Sequence, residues 1–583
     1  MNSESSGDDI ADYLPSPPMS PRSNDGSESS VYSGIGSFVI PDNDAEIKTL
    51  AAELAEAELK SKRAAGPAGG HGMAGAGSSQ QHAQQAARSP PPPATRVRVS
   101  APRPRMNEKA RKQAEAGYVD GSLFNSDNYA SIAGLKNVLN TIKDARTIFM
   151  LDMSTFDAAA VYGSKSADVP LNNADVKKLL LETLETTCAE TIKLGPGLLN
   201  KMDVGRAIAD NKCVRSLELE IGGADLVTAA FNVKNALENP RIQALTLIVP
   251  QLGPFETNSL FWTVTFPPNL VSLFLTIHGK LSLPALFALP PALHRLDVGV
   301  RGGYREVGQL LTQIGPLTVL EHLGLAIELD ASTDGAGSVA AGFAAAFSNK
   351  RRLDSIHMHL HNFVGLPETD GLRAALRSLP VIVSSVALAS NIYSPFVAAV
   401  AESVFRRGWK IRTDSVDLLK NFSKGMVARE LEIDISADDV PERALNTISE
   451  ALSDLDGLRS LKIAGARPVA EAERFITDDR LSEIWKSKIS TIHMENIPFR
   501  SSHIREIVRN MTRNRSMGMD VSLRGSIPDK DDAMLVIAMA EKRSEFPFKT
   551  LNLQKSSNTT FFTDEEGKAL KKKFKRIETD LYL

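Results

Sequence analysis

The chain has 583 residues, 42% of them apolar, with 67 basic and 70 acidic side chains and a formal charge of -3. That balance supplies apolar material for a large folded domain and lacks the positive excess of a nucleic-acid binder. No run of about 18 apolar residues could span a bilayer and no classical secretory signal opens the chain, while Cys188 and Cys213, the two cysteines present, suit a reducing compartment and exclude a disulfide framework.

Residues 1 to 130 read as a disordered tail rich in Ser, Pro, Gly, Ala and Gln, because such composition cannot bury enough apolar surface to offset chain entropy. One helix is expected over 45–65, where Ile47, Leu50, Leu54 and Ala57 share a face. It is either a transient helix or a docking segment for a secretion chaperone or other partner. Ser16, Ser20 and Ser89 each precede Pro, which leaves open a regulatory tail charged by phosphorylation. A basic linker follows over 96–112, and a second basic cluster, Lys568 to Arg576, lies in the last helical segment; both read as solvated surface or as contacts for acidic partners.

From 145 to 583 the chain repeats one phrase, an apolar residue followed by x-x-Leu-x-Leu. Clear copies are Val214/Leu217/Leu219, Ile242/Leu245/Leu247, Leu270/Leu273/Leu275, Leu293/Leu296/Val298 and Leu320/Leu323/Leu325. Looser ones run through Met358, Leu388, Ile433, Ile463 and Met494 to Leu553. The middle leucines step by 28 from Leu217 to Leu245 and by 28 again to Leu273. Alternation at the end of each phrase predicts a strand with one buried face. Helix-period segments lie between, as at Ala224 to Leu237 and Gly308 to Ile314. Strand-helix units that cannot bury their own apolar faces do so by stacking, so the expected fold is α/β, a solenoid whose curved parallel sheet is backed by helices. The 45 residues from Val386 to Leu431 are too many for one coil, and Trp409 to Thr413 is the strand expected inside them.

These phrases resemble leucine-rich-repeat proteins, most closely the ribonuclease-inhibitor-like class, with about 14 coils. The Asn that follows the strand in that family is missing here: Glu220 follows Leu219 and Ile248 follows Leu247. Phe266-Pro267-Pro268 and Leu289-Pro290-Pro291 resemble the Leu-Pro opening of short bacterial repeats, and the Ser-rich leader resembles those of type III secreted effectors. The resemblance implies non-catalytic recognition of a protein partner, as a bacterial effector bound to a host protein. A cytosolic eukaryotic scaffold and a ubiquitin-ligase-related effector or adaptor are the alternatives.

If the leucines face inward, alternate residues line the concave side. The expected contact residues are Arg295 and Asp297 on one strand, Glu328 on the next, His357, His359 and His361 on the third, then Glu430, Glu432 and Asp434, and His493 with Glu495. Register places Gly324, Ala326 and Glu328 beside the three histidines on one flank and Ala387, Ala389 and Asn391 on the other, making a shallow recess. Alternate strand residues are about 7 Å apart, so two of these histidines could converge on zinc. With Glu328 the one carboxylate in register, protein contact is the expected role, with neither metal nor cofactor. No phosphate loop, His-Glu-x-x-His or Gly-x-Ser-x-Gly occurs, and both cysteines read as packing residues, so no enzyme is expected.

Overall fold

A computed structural model describes residues 105–583 apart from 125–131, 157–173, 283–287, 437–446, 466–488 and shorter breaks. Residues 1–104 of the tail, with the 45–65 helix and the Ser-Pro positions, lie outside the described residues.

Among the described residues seventeen strands form one sheet. In chain order they are β1 (Tyr118–Val119), β2 (Ile148–Met153), β3 (Ala189–Leu194), β4 (Ser216–Glu220), β5 (Ala244–Val249), β6 (Ser272–Lys280), β7 (Arg295–Gly302), β8 (His322–Leu329) and β9 (Ser355–His361). Then come β10 (Val383–Ser390), β11 (Gly408–Thr413), β12 (Glu430–Asp434), β13 (Ser460–Ala464), β14 (Thr491–Glu495), β15 (Met519–Ser522), β16 (Phe548–Asn552) and β17 (Asp580–Tyr582). Each pairs in parallel with the strand before it, as Leu217 with Leu245, Leu323 with Ile356 and Leu431 with Leu461. One coil therefore adds one strand. This is a solenoid of stacked strand-helix coils, and the repeated leucines form its buried seam: Leu217, Leu245, Leu273, Leu296, Leu323, Leu431, Leu461 and Leu551 are all at most 1% exposed. Burying each such side chain contributes about 1.5–3 kcal/mol.

The sheet begins at β1, whose Val119 pairs with Leu151, ahead of residue 145. Before it, α1 (Arg105–Glu115) takes in the end of the basic segment. There Lys112 pairs with Glu108 at 3.0 Å and Lys109 donates to Ser122 at 2.7 Å. Helices α2 (Ile132–Lys143), α3 (Ala174–Thr186), α4 (Pro196–Leu199), α5 (Val204–Asp210) and α6 (Leu226–Ala236) back the early coils. In the middle, α7 (Tyr304–Ile314), α8 (Ala336–Phe347), α9 (Asp370–Arg377) and α10 (Pro395–Phe405) do the same. Phe343, Phe363 and Phe396 pack there ring to ring, with centroids 5.3–6.0 Å apart. Helices α11 (Ser501–Arg513), α12 (Lys530–Lys542) and α13 (Asp564–Lys575) complete the series. The basic cluster sits on α13, where Lys573 binds Glu541 of α12 at 2.6 Å and a Thr563/Glu566 capping box fixes the start.

The missing strand-end Asn has a substitute on the other side of the coil. Asn211 and Asn239, each five residues before a strand, are buried and reach back to the preceding coil. The Asn211 side-chain amide donates to the backbone carbonyls of Leu184 and Thr187, that of Asn239 to those of Ile208 and Asn211, and the Asn211 side-chain Oδ1 accepts from the Cys213 and Val214 backbone amides. Later coils use other donors: the buried Lys350 ammonium donates to the carbonyls of Ile314 and Gly315, both at 2.8 Å, closing the end of α7. Buried helix ends need such partners, and the residue type matters less than the donor.

Candidate functional site

Because strands alternate, one sheet face packs under the helices and the other presents a row of side chains, one per coil. The row through the sheet runs Asp152, Lys193, Glu218, Thr246, Phe274, Asp297, Gly324, His357 and Ala387, then Arg412, Glu432, Lys462, His493 and Ser522. Charged residues dominate its two ends. The centre carries small, aromatic and imidazole groups.

The central strands are also longer. β6 has 9 residues, β7, β8 and β10 have 8 and β9 has 7, whereas β4, β12, β13 and β14 have 5 each, so the helix-free face is widest in the middle.

Two small polar assemblies occupy that centre. In the first, Asp297 accepts from Arg295 Nε at 2.9 Å and from His322 Nε2 at 2.8 Å. The His322 ring meets His357 edge to face, with centroids 4.9 Å apart. Asp297 is 9% exposed and is held inside the face by these two contacts. Gly324 makes this geometry available: it is the register neighbour of Asp297, and a Cβ there would overlap the carboxylate. Burial pushes the Asp297 carboxyl up, but the hydrogen bond and charge of His322 and the Arg295 guanidinium outweigh it and hold it below the ordinary carboxylate range.

In the second assembly His359 Nε2 and His361 Nε2 stand 2.9 Å apart. Their strand lies between Ala326 and Glu328 of β8 and Ala389 of β10, so small neighbours flank His359 on both sides. Asn391, just past the end of β10, exchanges hydrogen bonds with Asn362 at 2.9 and 3.1 Å. Burial pulls His359 down to about 4, helped by the neighbouring His361 charge; burial also pulls His357 to about 4, with His322 adding to it. His357 Nε2 is 3.2 Å from Ser355 Oγ and 3.4 Å from Ser385 Oγ. Burial keeps His357 and His359 neutral near pH 7, so each can give one hydrogen bond and accept another. Among the described residues no group of three or more His, Cys, Asp or Glu is arranged to hold a metal.

The remaining expected residues do not join this cluster. Glu430, Glu432 and Asp434 lie on β12 and His493 and Glu495 on β14, three and five strands from β9. They pair locally. Glu432 is 3.8 Å from Arg412 and 3.9 Å from Lys410, His493 is 3.3 Å from Asp520, and Glu495 accepts from Ser522 at 2.8 Å. Lys193 and Glu218 pair at 2.8 Å at the other end. Glu328 is likewise engaged, 3.6 Å from Arg301. His322 is the residue that sequence reasoning missed. It holds the position before the middle Leu, the one occupied by Arg295 in the coil before, and that equivalence was its only signal.

Among the described residues no helix is long and apolar enough to cross a membrane. Against known proteins, the sequence matches no family and no curated protein. Among solved structures it is similar to the leucine-rich repeat-containing protein LegL7 from Legionella pneumophila, at 14% identity over 47% of this chain and 90% of that one, with a TM-score of 0.25. Superposition at that level establishes neither fold nor function, and the fold rests on the strand pairing itself.

Proposed function

We propose that the protein is a non-catalytic recognition module that binds another protein on the central part of its helix-free face, β6 to β10. The supporting observation is the centre of that face, where the longest strands carry a strip of small residues around the hydrogen-bonding imidazoles of His357 and His359, while on the flanks Lys193 pairs with Glu218 and Arg412 with Glu432. Strands about 4.8 Å apart backed by helices about 10 Å wide put the helix-free face on the inside of the curve, where many modest contacts act together. Small side chains around a few hydrogen-bonding groups, with charged residues at the rim, match the make-up of a protein interface.

The biological version we favour is a bacterial effector acting on a host protein, supported by the Leu-Pro openings at Phe266 to Pro268 and Leu289 to Pro291 and by the Ser-rich leader. Introns in the coding sequence would transfer the reading to a eukaryotic scaffold. A secretion chaperone is the partner assigned to the tail.

The test is affinity capture from candidate host lysate with three forms of the full chain: the native protein, His359→Ala/His361→Ala, and Lys193→Ala/Glu218→Ala. Loss of the same captured protein in the histidine variant alone supports the reading. Equal capture by all three removes it. Ubiquitin transfer that disappears in Cys188→Ala or Cys213→Ala would overturn the non-catalytic assignment.

A further inference from the structure

The two cysteines sit far from the central recess, at the edge where strands β3 and β4 begin. Their spacing is 213 − 188 = 25, the same offset as the paired residues Thr191 and Ser216, since 216 − 191 = 25, so they hold equivalent positions on adjacent coils. Backbone hydrogen bonding carries the alignment to this edge: Arg215 N donates to Glu190 O at 2.9 Å, and the Asn211 side chain bonds Thr187 O at 3.0 Å. Adjacent strands lie about 4.8 Å apart, and a disulfide needs Cα atoms roughly 4.4–6.8 Å apart. The expectation that both cysteines pack in the interior is corrected here: Cys188 is exposed and Cys213 half-buried, with both thiols free.

They open onto a cleft of about 620 Å³ whose other lining includes Lys212, Arg215, Arg241 and Glu190. Among the described residues none of the three cations is ion-paired, so the cleft holds three positive charges against one negative. Thiol pair and cations are independent features of one cavity, and each narrows the ligand. The pair reacts with two-electron thiol oxidants; the cations favour an anionic one.

We propose that Cys188 and Cys213 form a modification site at which a small anionic disulfide is reduced and the two coils are joined by an inter-coil disulfide. This goes beyond the recognition function and uses a different part of the molecule. Exposed Cys188 is the attacking group. Its thiolate attacks one sulfur of the incoming disulfide RSSR, forming a mixed disulfide and expelling one RS⁻; Cys213, deprotonated, then attacks the Cys188 sulfur and expels the second. Two Cys protons end on two RSH molecules, RSSR gains two electrons, and the protein loses them. Hydrogen bonding to Cys188, then burial, pushes the Cys213 thiol above its ordinary pKa despite Arg241, which fits the resolving rather than the attacking role. The product ties β3 to β4 covalently and leaves the central recess untouched.

Oxidised glutathione, which is anionic, and cystamine, which is cationic, are the probes. The reduced full chain is incubated with each at low salt and followed by intact mass and peptide mapping. We expect loss of two hydrogens, a Cys188–Cys213 peptide, and oxidation about tenfold faster with oxidised glutathione. Cys213→Ser should stop at a mixed disulfide on Cys188, and Lys212→Gln/Arg241→Gln should erase the preference between probes. A native chain that yields only mixed disulfides, or none, would overturn the proposal, as would cystamine reacting as fast as glutathione.

Discussion

The central coils and the flanking coils share one seam and differ on the other face. Leu325 in the centre and Leu461 near the end are both at most 1% exposed and pair in the same parallel register with their neighbours. Above them the flanks place Lys193 against Glu218 and Arg412 against Glu432, whereas the centre places Asp297 and the histidines in a strip of Gly and Ala. Stacking fixes what lies under the sheet and leaves the exposed row free to vary. The row is therefore where a solenoid carries function, and a charge already paired within the sheet has less to offer a partner.

The largest expected effect ignores the contrast. Leu325→Ala and Leu461→Ala should each cost about 2–5 kcal/mol in urea unfolding, because both leave a cavity in the same kind of seam. A cost at only one of the two would mean that centre and flank are separate structures. On the exposed row the regions should part. Asp297→Asn weakens the acceptor for His322 and Arg295 inside the face and should cost about 2 kcal/mol, and Gly324→Ala, which displaces the same carboxylate, about 1–3 kcal/mol. Lys193→Ala, in a partly exposed pair, should cost at most about 1 kcal/mol.

Acid sharpens the same difference. His357 and His359 sit near 4 in the folded chain against an ordinary 6.5, so between those values the unfolded chain binds more protons. Their contribution is whole above pH 6.5 and is lost as pH falls toward 4. After discounting for partial exposure, the pair should cost about 1–3 kcal/mol across that window. Urea midpoints of the native protein and of His357→Ala/His359→Ala measured from pH 7 to 4 check this, and the variant's curve should be the flatter.

The seam was legible in the sequence because a leucine at a fixed offset has one physical use in a stack. That reasoning placed β4 to β10, β12 to β14 and β16, and found β11 inside an overlong interval. β15 and β17 escaped it because Met519 and Val521 stand where leucines stand elsewhere, and Leu581 stands alone. Ile148/Leu151/Met153 and Ala189/Ile192/Leu194 carry the phrase in β2 and β3, though their first positions and their Met or Ile substitutions mask it. The recess was legible as far as strand register reaches, which set His357 beside Gly324 and His359 beside Ala326. What register does not give is the lean of Asp297 across Gly324 onto His322, or the 2.9 Å approach of two imidazoles, since both depend on side-chain torsions. Asn211 and Asn239 show the same limit: the donor a coil requires sat on the other side of the turn from where the family pattern puts it.

A crystal structure of the full chain would decide whether the coils stack in this register. The expected result is His359 between Ala326 and Ala389 in parallel register, with Leu323, Ile356 and Val386 in the core. Antiparallel pairing, or those apolar side chains turned to solvent, would contradict it.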